Sequence, residues 1–347
     1  MGIIRKKIDR ELESFVLTNR TDVRVTILNY GATIASIEVP DSKGQIADVV
    51  LGHCDLKNYV GGRFYFGGTI GRYANRIARG RFVIDGKEYQ VIANRNGDHL
   101  HGGAVGFDKK FWQASVDEGQ QCPSLEFRLV SPDGEEGFPG TMDVKVIYSL
   151  TEDDELQIQY MAISDRPTVI NLTNHSYFNL TGSAANSILD HVLMIDADEF
   201  TPINSLSFPT GEMVKVDGTP MDFRKPTRIG ERIDSDYDQL KFAGGYDHNW
   251  VLNDFNGFVR KVATLYEPNS GRLMEVLTDQ PGIQFYSGNY LDGSVKGKGN
   301  ILISKRSGVC LECQHYPDSP NHTEFPSVVL KPGETYKQTT IYKFLAF

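Results

Sequence analysis

Short runs of alternating apolar and polar residues, separated by turn residues, recur along the whole chain. Alternation with a period of two is the pattern of a strand that buries one face. Two of these runs lie within residues 81–92, on either side of Asp85-Gly86. Two alternating runs around an Asp-Gly turn are typical of a β-hairpin. The strands are more numerous than a small sandwich holds. The other runs lie at 23–28, 33–39, 125–130, 142–150, 156–163, 191–195, 249–252, 273–278 and 309–314.

Helical patterns are weak. Residues 227–233 predict one or two helical turns, although Gly230 weakens them. No strand-helix-strand rhythm is present, which argues against a parallel α/β sheet. No repeat or low-complexity linker divides the chain. We therefore predict an all-β protein, a large antiparallel β-sandwich with few short helices, formed as a single domain over residues 1–347.

Charge and composition exclude several classes of protein. The chain has 36 basic and 45 acidic residues, a formal net charge of −9, and no basic run longer than Arg5-Lys6-Lys7. It therefore has no basic footprint for a nucleic acid. No apolar stretch has the length of a signal peptide or a membrane span. Four cysteines in 347 residues are too few for a disulfide framework. We expect a cytoplasmic protein with no nucleic-acid or membrane partner.

Polar side chains are concentrated in a few segments. The first, at 71–77, reads G-R-Y-A-N-R-I and follows two glycines, so that Asn75 and Arg76 offer several donors at one place. A phosphate loop would need a helix start and usually a Lys followed by Ser or Thr, and neither is present. A solvated turn remains the alternative interpretation.

The second segment contains His99 and His101. Strand residues two apart point to the same face, so both imidazoles could contact one ligand, as in an H-x-H metal site. Such sites add a carboxylate a few residues later, and residues 102–107 contain none. We therefore predict no metal. The alternative is that one histidine faces a site and the other lies at its rim.

Two further segments offer proton-transfer groups. His175 lies in a segment dense in hydrogen-bonding side chains, and histidine, with a reference pKa of ~6.5, exchanges protons near neutral pH. Glu312 lies in an apolar run, where an inward carboxylate is costly unless it is paired or functional. Partial desolvation would raise its pKa towards that of a useful base. Cys310 and Cys313 would face opposite sides of a strand, so they are poorly placed to bind one metal.

Two last segments are uninformative alone. Residues 246–250 place Asp247 between aromatic residues and beside His248, a combination suited to the hydroxyls and apolar face of a sugar. Residues 281–289 place Gln284 in a strand-like run with aromatic neighbours.

Taken in order, these segments resemble the aldose 1-epimerase family over nearly the whole chain. The family implies a large antiparallel β-sandwich, no cofactor, and interconversion of the α and β anomers of free aldohexoses such as galactose and glucose. We also expect a monomer or weak dimer. The motifs are G-R-Y-A-N-R-I at 71–77, L-H-G-G at 100–103, N-H-S-Y-F-N-L at 174–180, Y-D-H-N-W at 246–250, Q-P-G-I-Q-F-Y-S-G-N at 280–289 and L-E-C-Q-H-Y-P-D-S-P-N at 311–321.

The resemblance also implies a role for each matching residue. Glu312 would be the general base, His175 the general acid, and His101 would assist near the ring oxygen. Reference pKa values of ~4.3 and ~6.5 make Glu⁻ with His⁺ the expected starting pair. The sugar hydroxyls would be hydrogen-bonded by Asn75, Arg76, Asp247 and Gln284.

Three alternatives stay open at this point. A non-catalytic sugar-binding protein could share the fold. A hexose 6-phosphate epimerase would need a basic phosphate pocket, for which Arg72 and Arg76 are the candidates. Glycoside hydrolysis would need two carboxylates on either side of the scissile bond, and Asp247 and Glu312 are the candidates for them.

Overall fold

The computed structural model describes residues 2–117 and 122–347, and within them β-strands predominate. The strands are β1 (Gly2–Lys7), β2 (Glu13–Thr18), β3 (Arg24–Leu28), β4 (Thr33–Pro40), β5 (Ile46–Asp48), β6 (Thr69–Ile70), β7 (Arg76–Ile77), β8 (Arg81–Ile84), β9 (Lys87–Gln90), β10 (His99–Leu100), β11 (Gln113–Asp117), β12 (Ser124–Ser131), β13 (Met142–Leu150), β14 (Glu155–Ser164), β15 (Thr168–Val169), β16 (Thr173–Asn174), β17 (Val192–Ile195), β18 (Glu199–Thr201), β19 (Val214–Lys215), β20 (Thr227–Arg228), β21 (Asp247–Val251), β22 (Arg260–Tyr266), β23 (Arg272–Thr278), β24 (Gly282–Tyr286), β25 (Asp292–Lys296), β26 (Leu302–Ser304), β27 (Cys310–Gln314), β28 (Val329–Leu330) and β29 (Tyr336–Ala346).

Three sheets of antiparallel strands dominate the architecture. A nine-stranded sheet has the order β11-β12-β13-β14-β29-β23-β22-β17-β20. A five-stranded meander contains β1 to β5, and a second five-stranded sheet has the order β19-β18-β21-β24-β27. The prediction of an all-β, antiparallel sandwich with few short helices is confirmed.

Alternation along the strands builds the core. Buried and half-buried residues alternate along the whole of β13. Val25, Val144 and Phe285, one from each of the three sheets, belong to a single cluster of buried apolar residues. Each such side chain contributes ~1.5–3 kcal/mol to the free energy of unfolding.

The hairpin at 81–92 is confirmed, with β8 paired to β9. Asp85 and Gly86 both have positive φ, at 49° and 79°. A tight two-residue turn of the I′ type needs positive φ at both positions, which is why Asp-Gly suits it.

The weak helical prediction at 227–233 is confirmed for a single 3-10 turn only, and the start of the segment is a strand. Thr227 pairs with Leu193 of β17, so the segment begins as β20, and one 3-10 turn (Ile229–Glu231) follows. The described residues contain one α-helix, α1 (Asp238–Ala243), which was not predicted. It ends at Gly244, whose backbone has the left-handed conformation. The other 3-10 turns are Leu56–Tyr59, Ala78–Gly80, Phe107–Lys109, Glu135–Gly137, Ile188–Asp190, Lys298–Asn300 and Ser319–Asn321.

Across residues 2–117 and 122–347, no helix has the length and apolar character needed to cross a membrane.

Candidate active site

One face of the sheet formed by β21, β24 and β27 is polar. Gln284 in β24 lies between Asn249 and Glu312 of the neighbouring strands, in register. Because successive strand residues face opposite sides, His248 and Trp250 point away from this face and pack against Phe200 in the interior. The prediction that Asp247, His248 and an aromatic residue of this segment together suit one sugar is therefore wrong.

A pocket of about 400 Å³ opens over this polar face. Small-molecule sites commonly have volumes of ~300–1,000 Å³. All seven side chains predicted as site residues line it: Asn75, Arg76, His101, His175, Asp247, Gln284 and Glu312.

His175 and Glu312 both line the pocket and face each other there. His175 Nε2 lies 3.8 Å from Glu312 Oε1, and the side chains are 5% and 2% exposed. The backbone of His175 is fixed by Gly67 and Gly68: its N–H donates to the Gly68 carbonyl and its carbonyl accepts from the Gly67 N–H, both at 3.0 Å. A Cβ at Gly67 would lie 1.9 Å from the Ile34 carbonyl oxygen, so only glycine fits there.

Burial determines the protonation of this pair. It raises the pKa of Glu312 well above its usual value, with the Asp247 charge adding to the effect and the Arg76 charge opposing it. It also lowers the pKa of His175 to about 4. In the protein alone the neutral pair is therefore favoured over the expected Glu⁻ and His⁺. Both forms hold one proton, and they differ only in which group holds it.

His101 is fixed by a reciprocal contact with Asn75. It follows β10 with a φ of +50°, and its backbone N–H donates to the Asn75 carbonyl at 3.0 Å. Its Nδ1 accepts the Asn75 N–H at 3.2 Å. A neutral imidazole that accepts at Nδ1 carries its hydrogen on Nε2, so His101 is a donor through Nε2. Burial lowers its pKa well below the usual value, which keeps the ring neutral.

The prediction that His99 and His101 share a face is wrong, because His101 lies outside the strand in the left-handed region. His99 does not lie at the rim of the pocket either. Its ring packs edge-on to Phe138, with centroids 5.0 Å apart, and its Nδ1 is 2.8 Å from the Ile92 carbonyl. His99 is a buried structural residue.

Ligand atoms of His101, His175 and Glu312 all lie within 4.8 Å of one another. Two imidazoles and a carboxylate are a known zinc ligand set. A metal-bound histidine normally uses one nitrogen for the metal and donates a hydrogen from the other. His101 accepts at Nδ1 instead, so its Nε2 has no lone pair for a metal. The donor set therefore does not fit a metal ion.

Asp247 and Gln284 are joined directly. Gln284 Nε2 donates to Asp247 Oδ1 at 2.8 Å. Among described residues, Gln284 Oε1 and Glu312 Oε2 are buried and have no hydrogen-bond partner. Unpaired buried oxygens at a pocket floor can accept from the hydroxyls of a ligand.

Sequence reasoning missed Tyr65, whose ring stacks on His175 at 5.6 Å and lies 4.9 Å from His101. It also missed Arg95 and Lys109, which line the pocket. All three lie outside the alternating strands, and the only signal near Tyr65 is the pair of glycines that follows it. Arg72 was misassigned: its buried guanidinium donates to the carbonyls of residues 139 and 140, at 3.0 and 2.9 Å.

Known proteins are similar to this chain over most of its length. A family model described as Aldose 1-epimerase matches residues 13–343. Galactose mutarotase from Bos taurus is 45% identical over 333 residues, which cover 96% of this chain and 94% of the bovine protein. Aldose 1-epimerase from Escherichia coli K12 is 37% identical over 332 residues, covering 95% and 94% of the two chains.

A solved structure is similar along nearly its full length. The crystal structure of galactose 1-epimerase from Lactobacillus acidophilus matches with a TM-score of 0.86 at 29% identity, covering 99% of this chain and 98% of that one.

Proposed function

The chain belongs to the aldose 1-epimerase family, and on that premise we propose that Glu312 and His175 perform its proton transfers. The chain is an isomerase that interconverts the α and β anomers of free hexoses such as galactose and glucose, by ring opening, rotation of the anomeric carbon and reclosure. No group other than the sugar and these side chains enters the proposed reaction.

Ring opening requires one proton to leave and one to arrive. Glu312 as carboxylate takes the proton of the anomeric hydroxyl, while His175 as imidazolium donates from Nε2 to the ring oxygen, and the bond from C1 to the ring oxygen breaks. The aldehyde turns about the C1–C2 bond, and both transfers reverse as the ring closes on its other face. Each positioned acid or base typically contributes ~10²–10⁴-fold to the rate.

The protonation preference of the protein fits this cycle. The open-chain aldehyde coexists with protonated Glu312 and neutral His175, which is the form that burial favours. A bound sugar reverses the preference, because hydroxyls that donate to Glu312 stabilise its carboxylate. The pair thus shares one proton throughout.

The remaining residues bind and orient the sugar. His101 donates from Nε2 to an oxygen at the anomeric centre and stays neutral. The sugar hydroxyls bind Asn75, Arg76, Asp247 and Gln284, of which the last two are already joined by a hydrogen bond.

The observation that supports this assignment best is the closeness of His101, His175 and Glu312 in one pocket. Polarimetry of freshly dissolved α-galactose and α-glucose tests whether the protein has this activity. The protein should accelerate the approach to the equilibrium rotation. Sugar binding in calorimetry without any acceleration would instead indicate a non-catalytic sugar-binding protein.

One observation favours a second substrate class, the hexose 6-phosphates. In a chain of net charge −9, Arg63, Arg76, Arg95 and Lys109 all line this pocket. Neither Arg76 nor Arg95 forms a salt bridge or side-chain hydrogen bond with another described residue. Comparing kcat/KM for glucose and glucose 6-phosphate decides between the two classes.

We further propose a single domain over residues 1–347, a cytoplasmic location, no nucleic-acid partner and a monomer or weak dimer. The core shared by three sheets supports the first proposal. Cys54, Cys122, Cys310 and Cys313 are free thiols, which suits a reducing compartment. Sedimentation equilibrium tests the oligomeric state.

A further inference from the structure

The second ring nitrogen of His175 faces a thiol. Cys310 Sγ lies 3.5 Å from His175 Nδ1, and both residues are buried. Cys310 and Glu312 are two residues apart on β27, so their side chains reach the same face of the sheet. One short strand segment therefore supplies contacts to both nitrogens of the imidazole, with Glu312 at Nε2 and Cys310 at Nδ1.

Proton exchange at Nε2 sets a requirement on Nδ1. After His175 gives its proton to the ring oxygen, Nε2 has a lone pair, so the hydrogen of the neutral ring must lie on Nδ1. The group at Nδ1 must therefore accept a hydrogen bond. His101 has the opposite arrangement, because a backbone N–H donates to its Nδ1.

A thiol sulfur can accept such a bond weakly. Burial raises the pKa of Cys310 well above its usual value, so the sulfur stays protonated and uncharged. A carboxylate at this place would accept more strongly and would also stabilise the imidazolium. A neutral sulfur orients the ring without fixing the proton on it.

We propose that Cys310 is a positioning residue, whose Sγ accepts the Nδ1–H of His175 and so holds the tautomer that exchanges protons through Nε2. The proposal rests on the role of His175 in the proposed function. Cys310 contacts neither the sugar nor the transferred proton, and it acts only through the imidazole.

Cys313 provides a matched control. It lies three residues away on the same strand but faces the other side, beside Thr278 and Thr340. The sequence-based prediction that the two cysteines face opposite sides is confirmed. Cys313→Ala removes a buried thiol from β27 without touching His175.

The test combines imidazole ¹⁵N chemical shifts with steady-state kinetics of the full chain. The His175 signal is assigned by its loss in His175→Gln. In the unsubstituted protein and in Cys310→Ser it should show hydrogen on Nδ1. In Cys310→Ala it should show a mixture of tautomers. The kcat of this variant should fall about 10-fold, which is the loss of rate that corresponds to one net hydrogen bond, and its KM should stay within about twofold. Cys313→Ala should keep the tautomer and kcat.

Two results overturn the proposal. One is hydrogen on Nε2 of His175 in the unsubstituted protein, since the thiol would then be the donor. The other is a Cys310→Ala variant with the original tautomer and kcat, since the thiol would then not be needed to hold the hydrogen on Nδ1. The spectrum of the unsubstituted protein decides the matter even if the alanine variant fails to fold. Absence of any mutarotation by the unsubstituted protein would contradict the proposed function instead.

Discussion

Nε2 of His175 and Oε1 of Glu312 face each other at 3.8 Å, too far apart for a direct hydrogen bond. Reaction at an anomeric carbon involves two oxygens bonded to the same atom, the ring oxygen and the hydroxyl oxygen. The acid and the base that exchange protons with these two oxygens must lie close together, but they must not form a hydrogen bond with each other. The spacing of this pair meets both conditions.

Glu312→Gln should lower kcat by at least ~10²-fold, because the amide cannot take the anomeric proton. Polarimetry measures the loss, and circular dichroism should show that the fold is retained. Glu275→Gln is the control: Glu275 lies on β23, forms an ion pair with Lys261 at 2.9 Å and is not among the residues that line the pocket. It should keep full activity. Full activity in Glu312→Gln would contradict the assignment of the base.

The rate should depend on pH as a bell, because the pair works only while it shares one proton. Activity should fall below about pH 4, where His175 gains a proton beside an already protonated Glu312. It should fall again at alkaline pH, above the raised pKa of Glu312. These limits belong to the pair and not to either residue. A kcat/KM profile from pH 3.5 upwards, by ~half-unit steps, measures both limbs. Other ionisable groups around the pair are Tyr65, Arg76, His101, Tyr177, Asp247 and Cys310.

Asp247→Asn should move the alkaline limb of the pH–rate profile without moving the acid limb. The Asp247 charge helps to raise the pKa of Glu312, so its removal should shift that limb to lower pH and leave the acid limb in place. The variant also loses a charged partner of Gln284 and of the sugar, so KM should rise about 10-fold. An unmoved alkaline limb would show that another group sets it.

The two histidines should respond differently to amide substitution. His101→Gln keeps a donor near the place of Nε2, whereas His101→Asn keeps only the acceptor for the Asn75 N–H. The asparagine variant should therefore lose about 10- to 100-fold more rate than the glutamine variant. At His175 neither amide can exchange a proton, so both variants should be inactive. Equal losses at His101 would mean that it too exchanges protons.

The long strands could be predicted because burial alternates along them without interruption. β13 has the bounds that the pattern indicated, Met142–Leu150. The two-residue strands could not, because they are too short to show a period. β10 and β16 exist through pairing with distant residues, His99 with Ile77 and Thr173 with Ile70. These short strands hold the loops that position His101 and His175.

Site residues could be predicted where a charged or polar side chain interrupts an apolar run. Glu312 is a carboxylate within an apolar-leaning strand, and that conflict made it a candidate, while its role as base was implied only by the family resemblance. The orientation of His101 was not predictable, because it depends on a positive φ and on a backbone contact with Asn75. Tyr65 and Arg95 lie in loops, where no alternation indicates which side chains face the pocket.

The stability of Glu312→Gln should change with pH in a defined direction. The folded-state pKa of Glu312 lies above its unfolded value, so its favourable contribution to the free energy of unfolding is complete below the unfolded pKa of ~4.3 and is lost as pH rises through the folded pKa. Glutamine has the same shape and does not titrate. The variant should therefore match the unsubstituted protein in Tm near pH 4 and exceed it increasingly towards pH 8, as measured by calorimetry. A Tm below that of the unsubstituted protein at pH 8 would mean that the carboxylate is stabilised in the fold, and would contradict the direction given for its pKa.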